Sequence, residues 1–161
     1  MLNVKPIRQK PGECGPVSLE MVLRYFGLEA DNDELVNITG CTPDKGIPAK
    51  MIIKAARKFG MKAIIKDNSN FEDIRNWVIN KKVPVIVDWF SDDDGHYAVV
   101  VDINKNNIYL QDPELGHIRA MKLDHFYRIW FDFNGNYMKS KNDLIIRRMI
   151  IVYPKSLTNY K

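Results

Sequence analysis

The apolar residues of this chain change period once, and that change restricts the folds open to it. Up to about residue 80, apolar side chains recur at the spacing of amphipathic helices. Leu19, Val22, Leu23 and Phe26 share one face of a segment over about 15–26, with Pro16 suited to its first turn and Gly27 to its stop. Asp31 or Asn32 can cap a short second helix that ends at Gly40. A third helix is predicted over 48–59 and a fourth over 71–80, with a short strand at 61–65 between them. Beyond residue 82 the chain reads as strands over 83–90, 97–103, 107–111 and 117–122. Residues 123–131 read as a late helix, 134–143 as a polar loop and 144–153 as a last strand. Helices followed by an antiparallel sheet make an α+β layout. A chain of 161 residues fits a single domain over 1–161.

Composition narrows the function. Apolar residues make up 45% of the chain, enough for a packed core and against disorder. The net charge is +4, but the basic residues are scattered, as in Lys54, Arg57, Lys58, Lys62 and Lys66. No arm or stripe concentrates them, so a solvated basic surface is preferred to a nucleic-acid footprint. Apolar runs such as 83–87 and 98–101 are strand-sized and far below the ~20 residues of a membrane helix. The first nine residues, Met1 to Gln9, lack the apolar core of a signal peptide, so a cytoplasmic protein is expected. Two cysteines do not make a disulfide framework, and in a reducing compartment a thiol is free for chemistry.

Cys14 sits where an extended segment, broken by Pro6, Pro11 and Gly12, runs into the first helix. A thiol attacks as thiolate, and the free N–H groups and dipole at a helix N-terminus favour the anion. A cysteine without such a setting is more often a small buried apolar residue, which is the reading for Cys41. Of three histidines, His96 opens the predicted strand over 97–103, and Asp112 closes the strand that pairs back. If Ile103 faces Asn107 across a three-residue loop, His96 lies opposite Glu114, and Asp112 is two residues off that pair on the same face. A two-residue loop would put the two side chains on opposite faces. Taken singly, His96 is a loop histidine and Asp112 a turn residue before Pro113. Together they suit an imidazole oriented by a carboxylate and free to take a thiol proton. Asp102 is a rival orienter, ranked lower because it lies six residues along the same strand. Gln9, on the extended segment, could join the Cys14 backbone N–H in an oxyanion hole.

The run from Gln9 through Glu13-Cys14-Gly15 to Tyr25-Phe26-Gly27 resembles the bacteriocin-processing cysteine peptidases, which trim double-glycine leaders. His96 followed by Tyr97-Ala98-Val99-Val100 and the later Asp112-Pro113 are similar to that family's histidine and Asp-Pro. Gly46-Ile47-Pro48, Ala55-Ala56, Phe59-Gly60-Met61, the strand from Val83 to Val87, and Phe126 with Trp130 extend the likeness over about residues 5–132. Two departures stand out. Gln9 is five residues before Cys14, where the transporter-linked members have six, and 134–143 resembles an insertion. The resemblance implies a papain-like fold, a peptide or precursor-peptide substrate cut after two glycines, and association with an export transporter. This chain would be a stand-alone member or a cut-out domain.

The mechanism expected is attack by Cys14, with His96 as base and then acid, Asp112 orienting it and Gln9 holding the oxyanion; it needs no cofactor or metal. His96, Asp112 and His117 have no metal-ligand spacing. The acidic run Asp92-Asp93-Asp94 could tune His96 or select basic substrate, although a solvated loop is the plainer reading. Phe126, Tyr127, Trp130, Phe131, Phe133 and Tyr137 could dock a leader helix, although several suit the core better. Rival readings are an amidase or acyltransferase using the same residues, and a silent peptide-binding module.

Overall fold

Helical periodicity in the first half becomes three helices, α1 (Cys14–Tyr25), α2 (Asn32–Thr39) and α3 (Ala49–Lys58). The computed structural model describes residues 1–92 and 94–159; Asp93, of the acidic run, lies outside the described residues. After α3 come β1 (Lys62–Lys66) and α4 (Phe71–Arg75), which continues as a π-turn over Asn76–Asn80. The strands β2 (Val85–Ser91), β3 (Asp94–Ile103), β4 (Asn107–Asp112) and β5 (His117–Lys122) follow, then α5 (Leu123–Ile129). The chain ends with β6 (Phe131–Phe133), β7 (Leu144–Ile146), β8 (Arg148–Tyr153) and a short 3-10 turn. Six strands form one antiparallel sheet in the order β1-β8-β2-β3-β4-β5, and β6 pairs with β7 in a separate ribbon.

Side chains alternate across this sheet, so each face carries its own core. Ile86, Val99, Val101, Ile150 and Val152 meet α1, α2 and α3 through Leu19, Val22, Leu35 and Ile52. Val85, Val87, Ala98, Val100 and Ile151 meet Ile74, Val78, Phe126 and Trp130 on the other face. Residues 14–23 of α1 are all buried, which makes it the central helix rather than a surface one. The α+β architecture thus agrees with the sequence reading.

Four boundaries differ from it. The last segment, read as one strand over 144–153, is two strands in different sheets. Arg147 has φ +46 and breaks the run; its N–H donates to Trp130 O at 3.0 Å and its Nε to Ser69 O at 2.7 Å. The late helix stops at Ile129, because Phe131 leaves it to pair with Ile146. The second strand starts at Val85 rather than residue 83. β3 starts at Asp94, so His96 does not open the strand but pairs with Trp89 inside it.

The β3–β4 turn also differs. Ile103 faces Ile108, not Asn107, and the Asn104 N–H donates to Asn107 O at 2.9 Å across a four-residue connection. Continued unchanged, that register would place His96 and Asp112 on opposite faces. A β-bulge between Val100 and Asp102 inserts one extra residue in β3, and beyond it Val99 faces Gln111. The bulge restores the expected register at the end that matters, and it also turns Ile103 into the same core as Val100.

Candidate active site

The segment before α1 is held on the sheet by backbone groups. Leu2 N–H donates to Val101 O, Gln111 Nε2 to Val4 O, and Gln9 N–H to Pro113 O, each at 2.8 Å. Gln9 is thereby tied to the turn that follows Asp112. At Gly12, φ is +78 and a Cβ would lie 2.6 Å from Thr42 O, so the turn into α1 requires glycine. Cys14 is then the first residue of α1, where the helix leaves its backbone N–H without an intrahelical acceptor. At Gly15 a Cβ would stand 2.7 Å from Ile47 Cγ1, so its absence lets the loop before α3 close beside the thiol.

His96 is 7% exposed. Its Nε2 lies 2.8 Å from Asp112 Oδ1, and the ring lines the same cavity as the Cys14 thiol, whose proximity is felt in its pKa. With Nε2 turned to the carboxylate, Nδ1 is the nitrogen left for sulfur. Burial works against a charged ring, but the hydrogen bonds to Asp112 and Cys14, and then their charges, prevail; the His96 pKa is raised to about 9. Asp112 is 1% exposed and well served by donors. Its Oδ1 also accepts Glu114 N–H at 2.9 Å, and its Oδ2 accepts Arg119 Nε at 2.6 Å. Burial opposes that carboxylate too, but His96 and then Arg119 outweigh it and hold the pKa below the usual range. The Trp89 ring stands edge-on to His96 at 5.6 Å and is 2% exposed, screening the His96–Asp112 bond from water.

Gln9 lines the same cavity as Cys14 and His96 despite its five-residue spacing. Its Oε1 is buried with no hydrogen-bond partner among the described residues. Cys41 is buried elsewhere, with Sγ donating to Gly12 O at 3.1 Å. Burial, then the neighbouring Cys14 and Glu13, push that thiol up and keep it protonated. Asp102 does not reach His96; it meets the Met1 amine at 3.4 Å. His117 and His125 are exposed. Among the described residues, His96, Asp112 and Glu114 are the one set close enough to share a cation. Arg119 already fills that place, lying 2.6 Å from Asp112 and 3.6 Å from Glu114. Of the aromatic group, Phe126 and Trp130 are core, while Tyr127 and Tyr137 are exposed.

Two residues of this site escaped the sequence reading. Arg119 sits two positions beyond His117, the cross-strand partner of Asp112, and extending the hairpin by one strand would have put it on the Asp112 face. Trp89 is the cross-strand partner of His96, but its screening role had no signal in an apolar run.

Residues 4–134 match the family model described as the Peptidase C39 family. An uncharacterised protein of Methanothermobacter marburgensis is 32% identical over 131 residues, covering 81% of this chain and 83% of that protein. The lactococcin-A transport/processing ATP-binding protein LcnC of Lactococcus lactis is 32% identical over 105 residues, but this match spans only 14% of that longer protein. The fold is that of the peptidase domain of Streptococcus ComA, a bifunctional ABC transporter involved in quorum sensing. Its TM-score is 0.73 at 20% identity, over 95% of this chain and 100% of that one. No helix among the described residues is long and apolar enough to cross a membrane. The papain-like fold and the match along most of the length lead to one assignment: the chain belongs to the Peptidase C39 family.

Proposed function

We propose that this chain is a cysteine peptidase in which Cys14 is the nucleophile, His96 the general base and Asp112 the residue that orients it. The observation that carries the reading is the His96 ring, bonded through Nε2 to Asp112 and sharing one cavity with the thiol at the start of α1. A ring with a pKa raised to about 9 holds its proton beside the sulfur at neutral pH, where it is ready for the leaving group. The thiolate adds to a peptide carbonyl, and the oxyanion is received by the Cys14 backbone N–H and the Gln9 amide. His96 then gives its proton to the leaving amine, and water, activated by the neutral ring, releases the acyl group from sulfur.

The substrate proposed is a precursor peptide, and the partner an export transporter. Support comes from relatives whose names join processing to transport, such as LcnC. A cytoplasmic setting suits two thiols that are both free. The test is hydrolysis of fluorogenic peptides, including double-glycine sequences, with Cys14→Ala as the control. A loss of at least ~10⁴-fold is expected. Iodoacetamide near pH 6 should also label Cys14 well ahead of Cys41. Hydrolysis that survives Cys14→Ala, or equal labelling of the two thiols, rejects the assignment.

A further inference from the structure

The cavity beside Cys14 has two arms, which share Cys14, Asp44, Gly46, Asp94 and Gly95. The smaller, about 230 Å³, contains Gln9 and His96. The larger, about 420 Å³, runs the other way along the mouth of the sheet to the β6–β7 ribbon. Its walls oppose the sign of the chain. Asp44, Asp88, Asp94 and Asp132 line it against Lys45 and Arg148, and Arg148 is committed to Asp67 through bonds of 2.7 and 2.8 Å. The whole chain carries +4, so this concentration of carboxyls is not a general surface property.

Asp88 is the second and independent observation. It is 1% exposed, it forms part of the cavity wall, and its Oδ1 has no N–H or O–H partner among the described residues. The Asp132 carboxyl is its close neighbour, and its charge acts on Asp88. Arg148, the cross-strand partner of Asp88, and the Phe133 N–H, which donates to Asp132 Oδ1 at 2.7 Å, offset only part of the cost of two carboxyls in this wall. Burial and then the Asp132 charge push Asp88 well above the carboxylate range, and Asp132 is raised as well, chiefly by burial. The pair is also close to the reacting centre. Gly95 directly precedes His96, and a Cβ there would collide with the Asp132 carboxylate. Glycine at 95 leaves Asp132 open to the cleft.

We propose that the larger arm is a subsite for a cationic side chain of the peptide substrate, an ammonium or guanidinium received by Asp132 with Asp88 behind it and Asp94 at the rim. The assignment rests on the peptidase reading of Cys14 and names a substrate class for it: peptides with a lysine or arginine close to the scissile bond.

Two measurements test it separately from catalysis. In a Cys41→Ser background, Cys14 is modified with a trimethylammonium-bearing and a sulfonate-bearing methanethiosulfonate, and the rate ratio is compared with that of a free model thiol. A ratio at least ~10-fold in favour of the cation is expected, falling several-fold in Asp132→Asn and in the exposed Asp94→Asn, which carries little folding risk. In parallel, peptides with Arg, Leu or Glu scanned on both sides of the scissile bond should show kcat/KM at least ~10-fold higher for Arg at one position. That preference should shrink in both variants. A labelling ratio no different from the model thiol, or unchanged in both variants, overturns the subsite. Charge-selective labelling without any hydrolysis upholds the subsite and rejects the peptidase reading. Hydrolysis indifferent to charge rejects the subsite and upholds the peptidase.

Discussion

Asp88 on β2 and Asp112 on β4 flank β3, and each is 1% exposed, yet their pKa values move in opposite directions. Burial pushes both toward the neutral acid. At Asp112, donors from His96, Arg119 and Glu114 N–H reverse that push and keep it a carboxylate. At Asp88 no donor reaches Oδ1 and a second carboxyl adds to the push, and Arg148 offsets it only in part. Depth alone therefore says little about charge in this cleft; the nearest partner decides. One aspartate is arranged to hold a histidine and the other is left waiting for a cation.

The comparison can be broken most sharply by removing the Asp112 charge. Asp112→Asn should lower kcat/KM on a peptide substrate by ~10³–10⁴-fold, because His96 loses both its orientation and its counter-ion. It should also move the alkaline limb of the pH–rate profile, expected near 9 in the parent, to lower pH. A limb that stays in place would mean that Asp112 does not set the His96 proton. Stability comes next. Asp112→Ala strands His96 and Arg119 without their anion and should cost about 3–5 kcal/mol in urea unfolding. Asp88→Asn places an amide there that can still donate to Asp132, and should cost no stability at neutral pH. Equal losses in the two variants would sink the distinction. A smaller effect is expected of Arg119→Met, which leaves His96 as the remaining cation on Asp112. It should lower kcat about 10-fold or less and raise the acid limb, since Asp112 loses one source of its depressed pKa.

Stability against pH sharpens the contrast with the smallest signal. His96 is raised when folded, so its contribution is complete below the unfolded pKa of ~6.5 and is lost as pH rises through about 9. Asp112 is lowered when folded, so its contribution holds above the unfolded pKa of ~3.9 and is lost as pH falls through the folded value. Asp88 behaves as the raised case. Its proton favours the folded state most fully below ~3.9, and that advantage shrinks as pH climbs toward the folded pKa. Melting curves of Asp88→Asn against the parent should therefore converge in acid and diverge, with the variant favoured, as pH rises. Parallel curves across the range would show that Asp88 titrates normally.

The legible parts of the site were those coded locally. The thiol at a helix start followed from Pro16 and the apolar repeat after it, because a helix is built from contacts within a few residues. The pairing of His96 with Asp112 was readable only through the right register. The expected three-residue loop is not there, and a bulge at Val101, silent in a run of valines, compensates for it. The two strands over 144–153 look alike in sequence, and their separation depends on Arg147 reaching Ser69, a residue far back in the chain.

The sequence by itself determined that this chain makes helices before a sheet and where its thiol meets a helix dipole. Both rest on periodicity and local backbone chemistry. Tertiary structure alone decided which carboxyls share the cleft with that thiol and in what charge state. Asp132 meets Asp88, and Arg119 meets Asp112, only after separate elements pack together. A carboxyl's charge depends on the distance to partners and on access to water, and neither is written in the order of the residues.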